Sequence, residues 1–276
     1  MDLIVVLAAL LSAFLHAAWN AAVKAAPDSD GAMAAQVVAS GLIALPLLAF
    51  FPLPPLAAIP WLTASTACNV LSMVLLLRGY EHGGFGFVYP LARAASPLLV
   101  TLLAGAVVGE RLSPVGLAGI ALVSTGVALF AIGPGQHGPR AIVYALAAGA
   151  CTAAYIVCDA QGARLSPSVP GYALVVATVN AAAFGTLHGL RRGSVAHALR
   201  VHWGLATFGS AAAIASYMLI LWVWSRAPIA VGAALRDTSI VFGALIAVAV
   251  LKERLGFRRL AAVGVIACGV AALRFA

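Results

Sequence analysis

Residues 89–129 read YPLARAASPLLVTLLAGAVVGERLSPVGLAGIALVSTGVAL, and residues 232–272 read GAALRDTSIVFGALIAVAVLKERLGFRRLAAVGVIACGVAA. At an offset of 143 the two align without a gap, with 14 identities in 41 positions. Ala, Leu and Val bias inflates that figure, but polar matches stand out against it. Arg93 falls on Arg236, Ser96 on Ser239, and Glu110-Arg111-Leu112 on Glu253-Arg254-Leu255. On both sides of each Glu-Arg-Leu the chain is apolar for long enough to approach the span of a hydrocarbon layer about 30 Å thick. The chain carries two copies of a hydrophobic helical unit.

Further apolar runs extend outward from these stretches, ten in all, near 3–23, 32–51, 60–80, 84–108, 113–133, 140–159, 170–190, 203–225, 229–250 and 257–275. The breaks are a polar turn from Lys24 to Gly31, a proline cluster at Phe51–Pro55, the Gly/Pro-rich stretch from Gly133 to Pro139, and the basic connection from His188 to His202. Prolines at these points remove helical backbone donors. The first helix of each half also echoes the other, His16-Ala-Ala-Trp19 against Thr152-Ala-Ala-Tyr155. The expected architecture is therefore an all-α integral membrane protein of ten transmembrane helices, built as two five-helix repeats, 1–133 and 140–276. Five is odd, so the second repeat enters the membrane from the opposite side, giving an inverted-topology repeat.

Composition agrees. The 276 residues are 63% apolar and 9% charged, with mean hydropathy +1.06, whereas soluble domains carry about 25% charged residues. The net charge of +8 is scattered through short connections. It reads as membrane-flanking anchors rather than a nucleic-acid surface, and no nucleic-acid partner is expected. Cys68, Cys151, Cys158 and Cys268 all lie in apolar runs and read as small hydrophobes. His188, His197 and His202 share one connection, but their spacing is irregular and no carboxylate lies nearby, so no metal site is expected.

These residues together resemble the drug/metabolite transporter superfamily, in particular its EamA-type ten-span members with two EamA repeats. The resemblance covers essentially the whole chain. It rests on Leu15-His-Ala-Ala-Trp-Asn20, Tyr89-Pro-Leu-Ala-Arg93 with Ser96-Pro97, Gly109-Glu-Arg-Leu112, Ala154-Tyr-Ile-Val-Cys-Asp159, and Ala227-Pro-Ile-Ala230 followed by Ala234-Leu-Arg-Asp-Thr-Ser239. It implies a multi-pass protein of the plasma (inner cell) membrane with a small-molecule substrate, and it is not specific to one substrate.

The chemistry should sit where charge is expensive. An intramembrane Arg costs at least ~2.5–3.5 kcal/mol on insertion scales and marks function by default. Arg93 and Arg236 each lie several residues inside their spans, with Tyr89 and Ser96 on the stripe of the first. They read either as a cavity-lining pair or as structural arginines bonded to carbonyls or to Asp237. Trp19, Asn20, Asn69, Tyr155 and Tyr217 are further candidate substrate-binding residues, and His16, Asp159 and Asp237 are those that could carry a coupling proton. Asp159 is expected near the end of its span. Asp237 lies about 100° around the helix from Arg236 and is expected to weaken the positive potential there, leaving Arg93 as the dominant anion ligand. Glu110-Arg111 and Glu253-Arg254 read as turn chemistry, with Ser113-Pro114 supplying an N-cap and first-turn proline.

A secondary transporter working by alternating access about a central cavity is the reading these features favour. The arginines favour a carboxylate- or phosphonate-bearing metabolite, for which guanidinium is a bidentate donor. The alternative is a membrane-embedded enzyme acting on a lipid or small amphiphile. The chain, however, lacks an HExxH pair, a GxSxG elbow and any ATP- or cofactor-binding signature. The basic count, four on the side of the termini against ten opposite, places the termini outside by the positive-inside rule, while the family resemblance implies that they lie inside.

Overall fold

The computed structural model describes residues 2–131, 138–191, 193–251 and 256–275, of which 247 and 249–251 are described by backbone alone. The Glu253-Arg254-Leu255 motif, Lys252, Arg192 and the linker residues 133–137 lie outside the described residues. Helix boundaries fall where local chemistry dictates. Asp2 caps α1 (Leu3–Ala25), and the Asp28 side chain accepts the Gly31 N–H to open α2 (Ser29–Leu47). Pro46 tightens the end of α2 into a 3-10 turn before the proline cluster. Next come α3 (Ile59–Gly83), α4 (Phe85–Val108) and α5 (Pro114–Leu129). Gly84 between α3 and α4 takes φ 69°, and Gly109 after α4 takes φ 70°, left-handed values that glycine adopts without Cβ cost. Ser113 caps α5 by accepting the Gly116 N–H at 3.1 Å.

The second half contains α6 (Pro139–Leu165), α7 (Val169–Arg191), α8 (Val195–Val201), α9 (Ser210–Arg226), α10 (Ile229–Asp237), α11 (Ser239–Leu251) and α12 (Phe257–Arg274). Two features depart from expectation. The connection after α7 holds the short helix α8, nucleated by Ser194 capping His197 N–H. The ninth apolar run is divided at Thr238, whose hydroxyl bonds back to the Leu235 carbonyl at 2.6 Å.

Among the described residues the fold is all-helical, and eight helical stretches are long and apolar enough to cross a membrane. These are α1 to α4, α6, α7, α9 with the π-turn before it, and α10 continued into α11. The 16-residue α5 is a shorter apolar helix, and α12 opens on Phe257-Arg258-Arg259. Large side chains face outward, with Leu7, Leu11, Leu98, Leu102 and Phe208 exposed. Small ones fill the interior, including Ala9, Ala13, Ala32, Ala35, Ala145 and Ala160. That inverts a soluble core and suits a lipid surround, where association depends on close packing of small residues.

Contacts between the halves are reciprocal. A Cβ added at Gly126 of α5 would meet the Ala262 carbonyl at 3.0 Å and the Ile266 side chain of α12. One added at Gly269 of α12 would meet the Gly119 carbonyl at 3.0 Å and the Val123 side chain of α5. At the offset of 143 these are equivalent residues with their roles exchanged, as across a two-fold axis. A second reciprocity joins other helices. Ser72 of α3 donates to the Ala148 carbonyl of α6, and Ser216 of α9 donates to the Ser12 carbonyl of α1, at 3.1 and 2.8 Å.

Candidate functional site

Polar side chains from α1, α4, α6, α9 and α10 converge inside the bundle. Arg93 is fully engaged. Its guanidinium pairs with the Asp237 carboxylate at 3.0 Å, donates through Nη2 to His16 Nε2 at 2.8 Å, and donates through Nε to the Tyr89 hydroxyl at 3.2 Å. Because Arg only donates, His16 Nε2 is the acceptor and its proton sits on Nδ1, which is buried without a partner. Trp19 packs edge-on against His16, with ring centroids 5.1 Å apart, and Asn20 donates to the His16 carbonyl at 2.8 Å.

Arg236 stands in contrast. It is 7% exposed, and no hydrogen bond or ion pair from the described residues occupies its guanidinium. Its Nε is buried without a partner, and its carbon lies 5.8 Å from the centre of the Trp224 ring. Trp224 Nε1 is likewise buried and unpartnered, as is Asp237 Oδ2. Such groups are costly to leave unpaired. Asp237 therefore pairs with the opposite helix and not with its sequence neighbour. The expectation that Asp237 would weaken the potential at Arg236 meets a different pairing, with Arg93. Asp237 neutralises Arg93, and Arg236 keeps the free guanidinium.

A second polar group adjoins the first. Asp159 accepts from the Tyr217 hydroxyl at 2.5 Å and from the Tyr172 hydroxyl at 3.3 Å. The expectation that Asp159 is interfacial fails, because α6 runs on to Leu165 and leaves Asp159 only 1% exposed. Tyr155 lies within electrostatic reach of both Arg93 and Arg236, and Asp159 within reach of Arg236. Of the candidates read from sequence, the structure gathers Arg93, Arg236, Tyr89, His16, Trp19, Asp237, Tyr155, Asp159 and Tyr217. The hydrogen bond of Asn20 stays within its own helix, and Asn69 is half-buried on α3, with no bond to the group among the described residues.

Three residues escaped the sequence reading. Trp224 and Tyr172 resemble ordinary aromatic core positions in sequence, and both are fully buried. Glu110, read as turn chemistry, makes long-range contacts. It pairs with Arg164 at 2.8 Å and accepts the Ile229 N–H at 2.8 Å.

Two recesses lie away from this centre. An apolar groove between α3 and α7 is lined by Thr66, Val70, Leu71 and Val179. At the helix ends, a recess of about 270 Å³ brings His188, His197 and His202 beside Asp28 and Asp30. The premise that no carboxylate lies near these histidines is thus corrected, because folding supplies two from α2 and the turn before it. Among the described residues no group of three such side chains is arranged to hold a metal ion.

The sequence model of the EamA-like transporter family matches residues 139–275. A solved crystal structure that is 18% identical in sequence superposes with a TM-score of 0.74, covering 99% of this chain and 96% of that one. At that identity the likeness speaks for the fold. No curated protein matches the chain.

Proposed function

Since the chain belongs, through residues 139–275, to the EamA-like transporter family, and is thus a multi-pass membrane transporter of the drug/metabolite superfamily, we propose that it moves a small metabolite bearing a carboxylate, phosphate or phosphonate group across the cell membrane by alternating access. The observation that carries the substrate class is the Arg236 guanidinium, buried and without an acceptor among the described residues. An oxyanion there would accept from Arg236 Nε and Trp224 Nε1, two donors the fold leaves unpaired. Arg93, neutralised by Asp237 and tied to His16, holds α4, α10 and α1 in register.

Ten crossings in two inverted five-helix repeats remain our reading of the architecture. Two observations support it: the reciprocal glycine contacts of α5 and α12, and the chain's meeting of Glu110, Arg164, Ala227 and Ile229 at one end. Alternate traversal brings those four positions to one membrane face only if α5, which lies between Glu110 and Arg164, also crosses. Asp159, held by neutral tyrosine hydroxyls rather than an arginine, is the residue we assign to a coupling proton.

The test is flux into proteoliposomes over a panel of monocarboxylates, α-amino acids, inorganic phosphate and alkyl phosphonates, with and without a pH gradient. Saturable flux confined to oxyanion-bearing compounds supports the reading. Flux confined to compounds lacking an oxyanion contradicts it.

A further inference from the structure

At one end of the bundle a single carboxylate–guanidinium pair ties the ends of α4, α6, α9 and α10 together. At the tied end Glu110, just after α4, uses both carboxylate oxygens. Oε1 accepts from Arg164 of α6 at 2.8 Å, and Oε2 accepts the backbone N–H of Ile229, the first residue of α10, at 2.8 Å. Arg164 also donates to the carbonyls of Trp224 and Ala227, at 3.0 and 3.1 Å, which end α9 and lead into α10. Each group is thereby satisfied by a different helix. A carboxylate at a helix N-terminus is favoured by the dipole, and charge-assisted bonds are stronger than neutral ones.

The equivalent point on the other half looks different. At the offset of 143, Ile229 corresponds to Gly86 in the first turn of α4. Ile229 is 0% exposed, whereas Gly86 is exposed and a Cβ added there would meet nothing within 4 Å. Among the described residues, these two equivalent sequence positions thus sit in unlike environments, Ile229 covered and Gly86 exposed. From Ile229 to Ser239 every residue is buried, so α10 hangs from the Glu110 carboxylate with Arg236 two turns below.

We propose that Glu110 is the positioning residue that holds α10, and with it Arg236, in the conformation closed on the Arg164 side. The proposal rests on the transport reading, to which it adds the residue that sets which face is shut. Breaking the Glu110–Arg164 pair frees the α9–α10 junction and lets the closed end open. Loss of one such bond shifts a two-state equilibrium roughly tenfold.

The experiment uses the full chain with Cys68, Cys151, Cys158 and Cys268 replaced by Ser, carrying either A233C on α10 or G86C on α4. Labelling by a membrane-impermeant maleimide is timed in intact cells and in inverted vesicles. In the parent chain G86C reacts from one side and A233C is protected from the other. E110Q keeps the size and an acceptor for the Ile229 N–H but loses the charge. It should raise A233C labelling about tenfold from the side opposite to G86C. R164Q should do the same, and it stands in if E110Q is not recovered as a monodisperse protein. Protection of A233C in both variants equal to that in the parent overturns the proposal, as does fast labelling of A233C in the parent. Labelling requires no substrate, so a failed oxyanion assay leaves this result readable on its own.

Discussion

The Asp237 carboxylate on α10 lies 3.0 Å from the Arg93 guanidinium on α4, with the two side chains 2% and 11% exposed. The pair cancels one charge inside the bundle and leaves Arg236, one residue from Asp237, as the cation without an acceptor among the described residues. Chemistry at the centre follows from that asymmetry. Equal arginines by sequence are unequal by partner.

The pair makes a stability prediction. Asp237→Ala strands Arg93 in a nonpolar setting, and breaking a buried pair costs about 3–5 kcal/mol. The double variant D237A/R93M removes both charges and should recover more than half of that loss. Thermal unfolding in detergent checks it; a double variant no more stable than D237A would show that the pair is not the source of the cost.

The α5–α12 seam predicts matched effects from unmatched positions. Gly126→Ala and Gly269→Ala each place a Cβ 3.0 Å from a backbone carbonyl of the facing helix. Overpacking of this kind costs about 1–3 kcal/mol. The two variants should lose similar stability, because their surroundings are exchanged copies. A large loss at one position and none at the other would break the equivalence of the two halves.

Asp159 predicts a separation of coupling from transport. Asp159→Asn retains a partner for the Tyr172 and Tyr217 hydroxyls but has no carboxylate to protonate. Accumulation driven by a pH gradient should vanish, while substrate exchange without a gradient continues. Gradient-driven accumulation at the wild-type level would remove the proton from Asp159.

Much of this centre was legible because charge inside an apolar run announces itself. Arg93 and Arg236 stand out on any reading of residues 84–108 and 229–250. The helical period already turned Asp237 away from Arg236, but it could not name Arg93 as the partner, since that pairing depends on how α4 crosses α10. Glu110 was hidden for the opposite reason. Its neighbour Arg111 supplies a local charge balance, and nothing in one dimension shows that Arg164, 54 residues on, is the group it meets. Asp159 was misplaced because the apolar run stops at 159, whereas α6 continues through Gln161 and Arg164 on contacts with other helices. The recess of His188, His197 and His202 gained its carboxylates the same way, from a turn more than 150 residues earlier.

The central claim is that Arg236, not Arg93, receives the substrate oxyanion, and the most direct measurement compares Arg236→Lys with Arg236→Ala in the same proteoliposome flux assay at matched protein amounts. A charge-assisted bond is worth enough that Arg236→Ala should raise the half-saturating concentration roughly 10- to 100-fold for an oxyanion-bearing substrate. Arg236→Lys, a point charge without the planar fork, should fall between it and the wild type. Arg236→Ala should insert and purify at least as well as the wild type, since loss of an intramembrane charge eases insertion, and Arg236→Lys, which keeps the charge, should match the wild type. Wild-type concentration dependence in Arg236→Ala would contradict the account and return Arg236 to a structural role.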